Sequence, residues 1–250
     1  MTQATNQVAL VTGSATGVGR ACALRFAELG FDLVINYAKS AAEAQETVDL
    51  VTSRGRRAVL CQADIRDDAA VRGMFAEIER SCGRLDVLVN NAAMTHFVDH
   101  ADLDGMTAEK WDEILSVNVK GTFFVTRAAV PLLRRADQAA IVNISSVAGL
   151  SGVGSSIAYC ASKAAVNSMT KSFARVLAPR IRVNAVCPGP IDTRWLRQVL
   201  TEEQLRERTK EYPIPRAAQP EDIADAVLYL ATGTTLTTGQ LLVVDGGRTM

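Results

Sequence analysis

The sequence predicts an α/β fold of the doubly wound, Rossmann type: a parallel sheet with helices on both faces. Three observations carry this. Short, continuously apolar runs recur at helix-sized intervals, the stretches between them have helical patterning, and most runs are followed by a short segment of small, polar, Gly or Pro residues. Strands that are apolar on both faces belong to sheets covered on both sides, and alternation with helices makes such sheets parallel. The 250 residues can bury one large core, and no linker, internal repeat or low-complexity segment divides them. Residues 1–250 therefore read as one domain.

The strands fall, in order, at VALVT (8–12), FDLVIN (31–36), RAVLCQ (57–62), LDVLVN (85–90), AAIVNIS (139–145), residues 181–187 and QLLVV (240–244). Helical patterning occupies 17–29, 41–54, 67–81, 107–134, 156–178 and 219–231. In such sheets ligands sit outside the carboxyl ends of the strands. The first strand runs into TGSATGVG, the third into AD with Ile65, the fourth into NNAA, the fifth into SS and the sixth into CPGPIDT. All lie at one rim.

The loop after the first strand, VTGSATGVGRA, runs from strand through turn to helix. Gly13, Gly17 and Gly19 permit a tight turn and close backbone approach, and the free N–H groups opening the next helix favour a pyrophosphate. The alternative is that the glycines only let helix pack on sheet. The second strand ends in INYAKS (35–40), where an acid that would hold an NAD ribose is missing. Lys39 with Ser40 can meet a 2′-phosphate instead, so NADP(H) is favoured over NAD(H).

Composition narrows the function. Lys and Arg total 27 and so do Asp and Glu, giving zero net charge, which argues against a nucleic-acid partner. The opening MTQATNQ has neither the basic nor the apolar region of a secretory signal. The uncharged stretch 139–162 is too rich in Gly and Ser to span a membrane. Five scattered cysteines without a C-x-x-C read as free thiols in a reducing cytoplasm.

In SSIAYCASKAA (155–165), Tyr159 and Lys163 lie one helical turn apart among small residues. Either tyrosine packs beside a solvated lysine, or the ammonium is there to change the acidity of the phenol. His96 and His100 have the spacing of a metal pair, but no third ligand accompanies them and no metal site is assigned. The charged stretch TEEQLRERTKEY, flanked by Trp195 and Tyr212, reads as part of a substrate lid around 190–215; a surface helix is the plainer alternative.

With these pieces in hand, the chain resembles the short-chain dehydrogenase/reductase family over essentially its whole length. The motifs occur in the family's order: T-G-x-x-x-G-x-G from Thr12 to Gly19, N-N-A from Asn90 to Ala92, Asn118, Ser146, Y-x-x-x-K at Tyr159 and Lys163, and P-G at Pro188 and Gly189. PEDIADAVLYLAT (220–232) and TGQLLVVDGG (238–247) look most like bacterial 3-oxoacyl-(acyl-carrier-protein) reductases. The resemblance implies a seven-stranded sheet, a homotetramer and catalysis by Asn118, Ser146, Tyr159 and Lys163. Tyr159 would be the acid/base, Ser146 would bond the substrate oxygen, and Lys163 would tune the phenol and hold the nicotinamide ribose. Asn118 would support a water chain to that lysine. The cofactor would meet Gly13, Ser14, Thr16, Gly17, Val18 and Gly19, then Tyr37, Lys39 and Ser40, with Asp64 and Ile65 at the adenine. Asn91 and Ala92 would meet its middle, and Pro188, Gly189, Ile191 and Thr193 the nicotinamide, beside Tyr159 and Lys163. Two positions depart from the pattern: Ala93 stands where N-N-A-G has glycine, and Thr16 where some NADP-preferring members carry a basic residue. The expected activity is interconversion of a carbonyl and a secondary alcohol by hydride transfer, a 3-oxoacyl thioester being the nearest substrate. An NAD-dependent sugar or polyol dehydrogenase is the alternative, and a nucleotide sensor without chemistry is disfavoured by the complete catalytic set.

Overall fold

A computed structural model describes residues 7–250, so the reading of the N-terminal stretch lies almost wholly outside the described residues. Seven parallel strands form one sheet in the order β3-β2-β1-β4-β5-β6-β7. They are β1 (Val8–Val11), β2 (Asp32–Tyr37), β3 (Ala58–Gln62), β4 (Val87–Asn90), β5 (Ala139–Ile144), β6 (Ile181–Pro188) and β7 (Leu241–Val244). Every residue of β1, β4 and β5 is buried, which is why these runs are apolar without alternation except for Asn90 and Asn143, which bond each other at 2.9 Å.

Helices α1 (Gly17–Glu28), α2 (Ala41–Thr52) and α10 (Pro220–Thr232) supply one core with the sheet, built around Phe26, Val11, Ile35 and Val227. Helices α3 (Asp68–Cys82), α5 (Thr122–Leu133) and α7 (Ile157–Leu177) supply the core on the opposite face, around Leu10, Leu88, Ile141 and Leu133. Asp67 caps α3 by accepting from the amides of Ala69 and Ala70 at 2.8 and 3.2 Å, and Gly83 ends it with a φ of +71°. Asp64 lies outside the helix and accepts from the Arg66 amide at 3.0 Å.

One long helical stretch predicted at 107–134 is instead three pieces. Helix α4 (Ala108–Leu115) passes through a π-helical turn, Ser116–Gly121, into α5. The wide turn contains Asn118, and an added Cβ at Gly121 would stand 2.7 Å from the Ile65 side chain, so any larger residue where the turn rejoins α5 would have to displace it. Two other short helices, α6 (Ala148–Ser151) and α8 (Arg194–Arg197), sit in loops after β5 and β6, and α9 (Glu202–Thr209) carries the charged stretch. Thr201 opens α9 with a capping box completed by Gln204.

The strand order reverses between β1 and β4, which leaves a crevice outside their carboxyl ends. Helix α1 hangs from the loop at this crevice and is anchored by Phe26, fully buried and edge-on to Phe31 with centroids 5.3 Å apart. Phe26→Ala should lower unfolding free energy by about 3–5 kcal/mol, measured by urea denaturation. A change below about 1 kcal/mol would mean the helix is not seated through this ring.

Candidate active site

At the crevice, the glycine loop is shaped by positive φ and by close approach. Gly13 has φ +63°, and a Cβ there would lie 3.0 Å from the Cα of Ala92. A Cβ on Gly19 would lie 2.5 Å from the Gly13 carbonyl oxygen and 2.6 Å from Asn91 Nδ2. Gly17, with φ +56°, faces open space apart from the Thr193 methyl group at 3.7 Å. Thr16 precedes α1 without capping it, and the first turn carries no acid, so the amides at Gly17, Val18 and Gly19 open toward the crevice uncapped. These features fit a pyrophosphate. Ser14 stands apart: its hydroxyl is buried, donates to Val11 O at 2.8 Å and accepts from the Asn36 amide at 3.1 Å. It shapes the turn from within.

Asn91 and Ala92 are tied to the same loop. Asn91 Nδ2 donates to the carbonyls of Thr12 and Gly13, at 2.9 and 3.1 Å. Thr12 Oγ1 accepts from the amides of both Asn91 and Ala92 at 3.0 Å. Thr12 and Asn36, whose Oδ1 accepts from the Gly13 amide at 3.2 Å, are thus site-forming residues that motif reading assigned no role. At the end of β2, Tyr37 packs on the core, Lys39 is exposed, and the Ser40 side chain makes no cap bond to α2. Asp64 is held below the usual carboxylate range first by its bonds to the Arg66 side chain, with Lys39 a minor contributor. The Ile65 side chain is buried against Gly121.

Ser146 follows β5, and Tyr159 and Lys163 lie on α7, whose N-terminus is capped by Ser156 accepting from the Tyr159 amide at 3.2 Å. The Ser146 side chain lies near the Tyr159 hydroxyl and acts to lower its pKa, while its own Oγ accepts from the Ala148 amide at 3.1 Å. Lys163, 3% exposed, donates from Nζ to Ile144 O at 2.8 Å and lies over the Tyr159 ring, 5.6 Å from its centroid. The small neighbours serve packing more than ligand access. A Cβ on Gly149 would stand 2.6 Å from the Lys163 carbonyl carbon and 2.7 Å from the Ala164 amide, so α6 lies directly on α7.

Burial dominates both titrating groups. It pushes the Tyr159 phenol up to about 12, against a smaller lowering by the Ser146 side chain, and the Lys163 amine down to about 8. The depression of the phenol expected from the neighbouring ammonium is therefore not what the protein alone produces. The ammonium is aimed at Ile144 O and at the ring face, and desolvation outweighs it.

Asn118 ties the loop after β4 to α7. Its Oδ1 accepts from the Met94 amide at 2.9 Å, while Nδ2 donates to Met94 O and to Ser162 Oγ, both at 2.9 Å. Ser162 in turn donates to Tyr159 O at 2.7 Å. The neighbouring Ser145 is buried and donates to Asn167 Oδ1 at 2.6 Å and to Lys163 O at 3.2 Å. That leaves Ser146 as the serine facing the phenol.

Beyond β6, Pro188 and Gly189 lie against the end of β7: the Gly189 amide donates to Val244 O at 2.9 Å, and a Cβ on Gly189 would meet Asp245 at 2.8 Å. Ile191 pairs with Ala218 in an isolated parallel bridge, so the chain between them leaves and returns at one point. Within that excursion Trp195 packs edge-on to Tyr159, with centroids 6.1 Å apart. Arg194 reaches Glu43 on α2 at 2.9 Å. His96 pairs with Glu113 at 2.8 Å, and among the described residues no group of three or more His, Cys, Asp or Glu could hold a metal. Cys160, beside Tyr159, is buried and its thiol is pushed up by desolvation. All five cysteines are free; Cys82 is only half-buried, beside the Arg57 guanidinium. No helix among the described residues is long and apolar enough to cross a membrane.

A parallel sheet with a glycine-rich first crossover and a crevice at its switch point defines a dinucleotide-binding α/β protein. A family model described as enoyl-(acyl carrier protein) reductase matches residues 13–249. The chain is 42% identical over 244 residues to a protein of Streptomyces violaceoruber described as ketoacyl reductase 2 of the granaticin polyketide synthase, covering 96% of this chain and 95% of that one. It is 39% identical to a 3-oxoacyl-(acyl-carrier-protein) reductase of Staphylococcus aureus, covering 97% and 98% of the two chains. A crystal structure described as a short-chain dehydrogenase/reductase of Burkholderia xenovorans superposes with a TM-score of 0.92 at 36% identity, covering 98% of each chain. The chain belongs to the short-chain dehydrogenase/reductase family and is an NAD(P)-dependent oxidoreductase.

Gly19→Ala places a methyl group on the Gly13 carbonyl and should abolish detectable nucleotide binding while costing about 1–3 kcal/mol of stability. Cofactor fluorescence and thermal melts read the two effects; tight binding by the variant would refute the close-approach argument. Because burial favours the neutral amine, Lys163 should gain its proton only as pH falls through about 8. NMR of lysine-labelled protein should show one side-chain signal titrating there and missing from Lys163→Met. If every lysine titrates above about pH 10, as free lysines do, burial does not govern this amine in solution.

Proposed function

We propose that the protein reduces the keto group of a 3-oxoacyl thioester, with NADP(H) preferred over NAD(H). The observation that carries the reading is Lys163, buried and bonded to the end of β5, with its amine over the ring of Tyr159 and Ser146 beside that phenol. Identities of 42% and 39% to ketoacyl reductases support the substrate class over the enoyl chemistry in the family model's description.

The cofactor supplies hydride to the carbonyl carbon, and in its oxidised form a positive ring that favours phenolate. The remaining chemistry belongs to this chain. With its pKa raised, Tyr159 is fully protonated at neutral pH and delivers that proton to the carbonyl oxygen as negative charge develops there. Ser146 donates to the same oxygen and stabilises the charge. Lys163 would bond the nicotinamide ribose, and the alcohol dehydrogenation direction would use the same groups in reverse. Asn118, bonded to Met94 and Ser162, positions α7 and supports water that returns protons to Lys163. Pyrophosphate binding falls to the amides of Gly13 to Gly19, and the 2′-phosphate to Lys39 and the unspent Ser40 hydroxyl. Asp64 and the Ile65 main chain border the adenine; Asn91, Ala92, Pro188, Gly189, Ile191 and Thr193 border the rest. Residues 190–215 serve as the substrate lid. Residues 1–250 act as one domain in the cytoplasm, and the exposed apolar side chains of α5 and α7, among them Phe123 and Val176, fit burial in a homotetramer.

Steady-state assays with acetoacetyl and crotonyl thioesters, each with NADPH and NADH, test the reading. Acetoacetyl thioester with NADPH should turn over fastest. Tyr159→Phe should lower kcat by about 10²–10⁴ and Ser146→Ala by about 10²–10³. Turnover of crotonyl thioester alone, or full activity in Tyr159→Phe, would reject it.

A further inference from the structure

The segment that leaves β6 is held at its base by the Ile191–Ala218 bridge and internally by Arg197, which makes bonds of 2.6 and 2.7 Å to Asp192. Neither restraint fixes where Trp195 lies relative to Tyr159. Among the described residues, the ion pair that joins 193–197 to the opposite wall of the crevice is Arg194 Nη1 to Glu43 Oε1, at 2.9 Å.

Glu43 is a firm anchor. It lies in the first turn of α2, and its main-chain carbonyl accepts from Arg20 Nη2 at 2.8 Å. Arg20 Nε donates to Ala15 O and to Thr47 Oγ1, both at 2.9 Å, so α2 and the glycine loop form one rigid wall. From that wall the pair reaches over the crevice to Arg194. The next residue is Trp195, whose ring meets Tyr159 edge-on at 73°. Thr193, one residue earlier, places its methyl group opposite Gly17.

We propose that Glu43 is a positioning residue for the substrate pocket: through Arg194 it holds 193–197 across the dinucleotide crevice and sets Trp195 as the aromatic wall that confines the substrate beside Tyr159. The proposal rests on the oxidoreductase reading for its substrate, though not for its geometry. The pair is exposed, 61% at Arg194 and 34% at Glu43, so it shifts an equilibrium between held and released lid without locking it.

The chain has two tryptophans, and a Trp111→Phe background leaves Trp195 as the reporter. In that background Glu43→Gln and Arg194→Glu should each raise acrylamide quenching of Trp195 about two- to fivefold. The charge-swapped Glu43→Arg, Arg194→Glu variant should bring quenching back toward the parent. Sodium chloride at about 1 M should move the parent toward Glu43→Gln by screening the pair. With acetoacetyl thioester, KM should rise in Glu43→Gln by a similar factor while kcat is retained. Unchanged quenching in both single variants would overturn the proposal, as would a swap that stays as exposed as the singles. Failure of the substrate assay with the quenching pattern intact would count against the proposed activity alone, since the fluorescence needs no turnover.

Discussion

A primary amine at 3% exposure can persist only where a fixed acceptor meets it, and at Lys163 that acceptor is the carbonyl of Ile144, the last residue of β5. The bond joins α7 to the end of a central strand. It fixes the helix in rotation and height, and through the helix it fixes where Tyr159 stands. The small residues around it are a consequence. Gly149 and Ala164 let α6 lie against α7, which brings the segment bearing Ser146 down to the phenol. Ser145 and Asn167 brace the same junction from beneath, with Asn167 Nδ2 donating to Gly149 O at 3.2 Å.

The crevice has a comparable economy of polar groups. Thr12 accepts two amides from the loop after β4, and Asn91 returns two bonds to the loop after β1. The two loops form one surface, and that surface is narrow because Gly13 and Gly19 allow backbone contact where any side chain would separate them. The Thr12 and Ser14 side chains of the glycine loop are turned inward. Backbone N–H groups and helix dipole remain for a ligand, and they suit a diffuse anionic charge better than a specific base.

Much of this was legible in the sequence for physical reasons. Strands buried on both faces are apolar almost throughout, so VALV and VLVN declare themselves, and glycine spacing reports backbone approach. The π-helical turn at Ser116–Gly121 was not legible, because its cause is a set of tertiary bonds from Asn118 to Met94 and Ser162. Local periodicity through 107–134 carries no trace of those partners. Thr12 was hidden for the same reason: a threonine closing a strand is ordinary until the amides that reach it are known. Arg20 and Glu43 lie on two separate helices, and only the crossover geometry brings them to one wall.

The direction of the two pKa shifts has a consequence for how the site functions. Burial alone raises the phenol and lowers the amine, so both groups in the protein by itself favour their neutral forms near and above pH 8. A neutral phenol is the form that can give a proton to a carbonyl oxygen, which suits reduction. Alcohol oxidation needs phenolate, and nothing among the chain's own groups at the hydroxyl overcomes the desolvation. Forming phenolate there would require positive charge beside the hydroxyl that the chain itself does not supply. The burial that keeps the phenol neutral thus suits it to give a proton more than to take one.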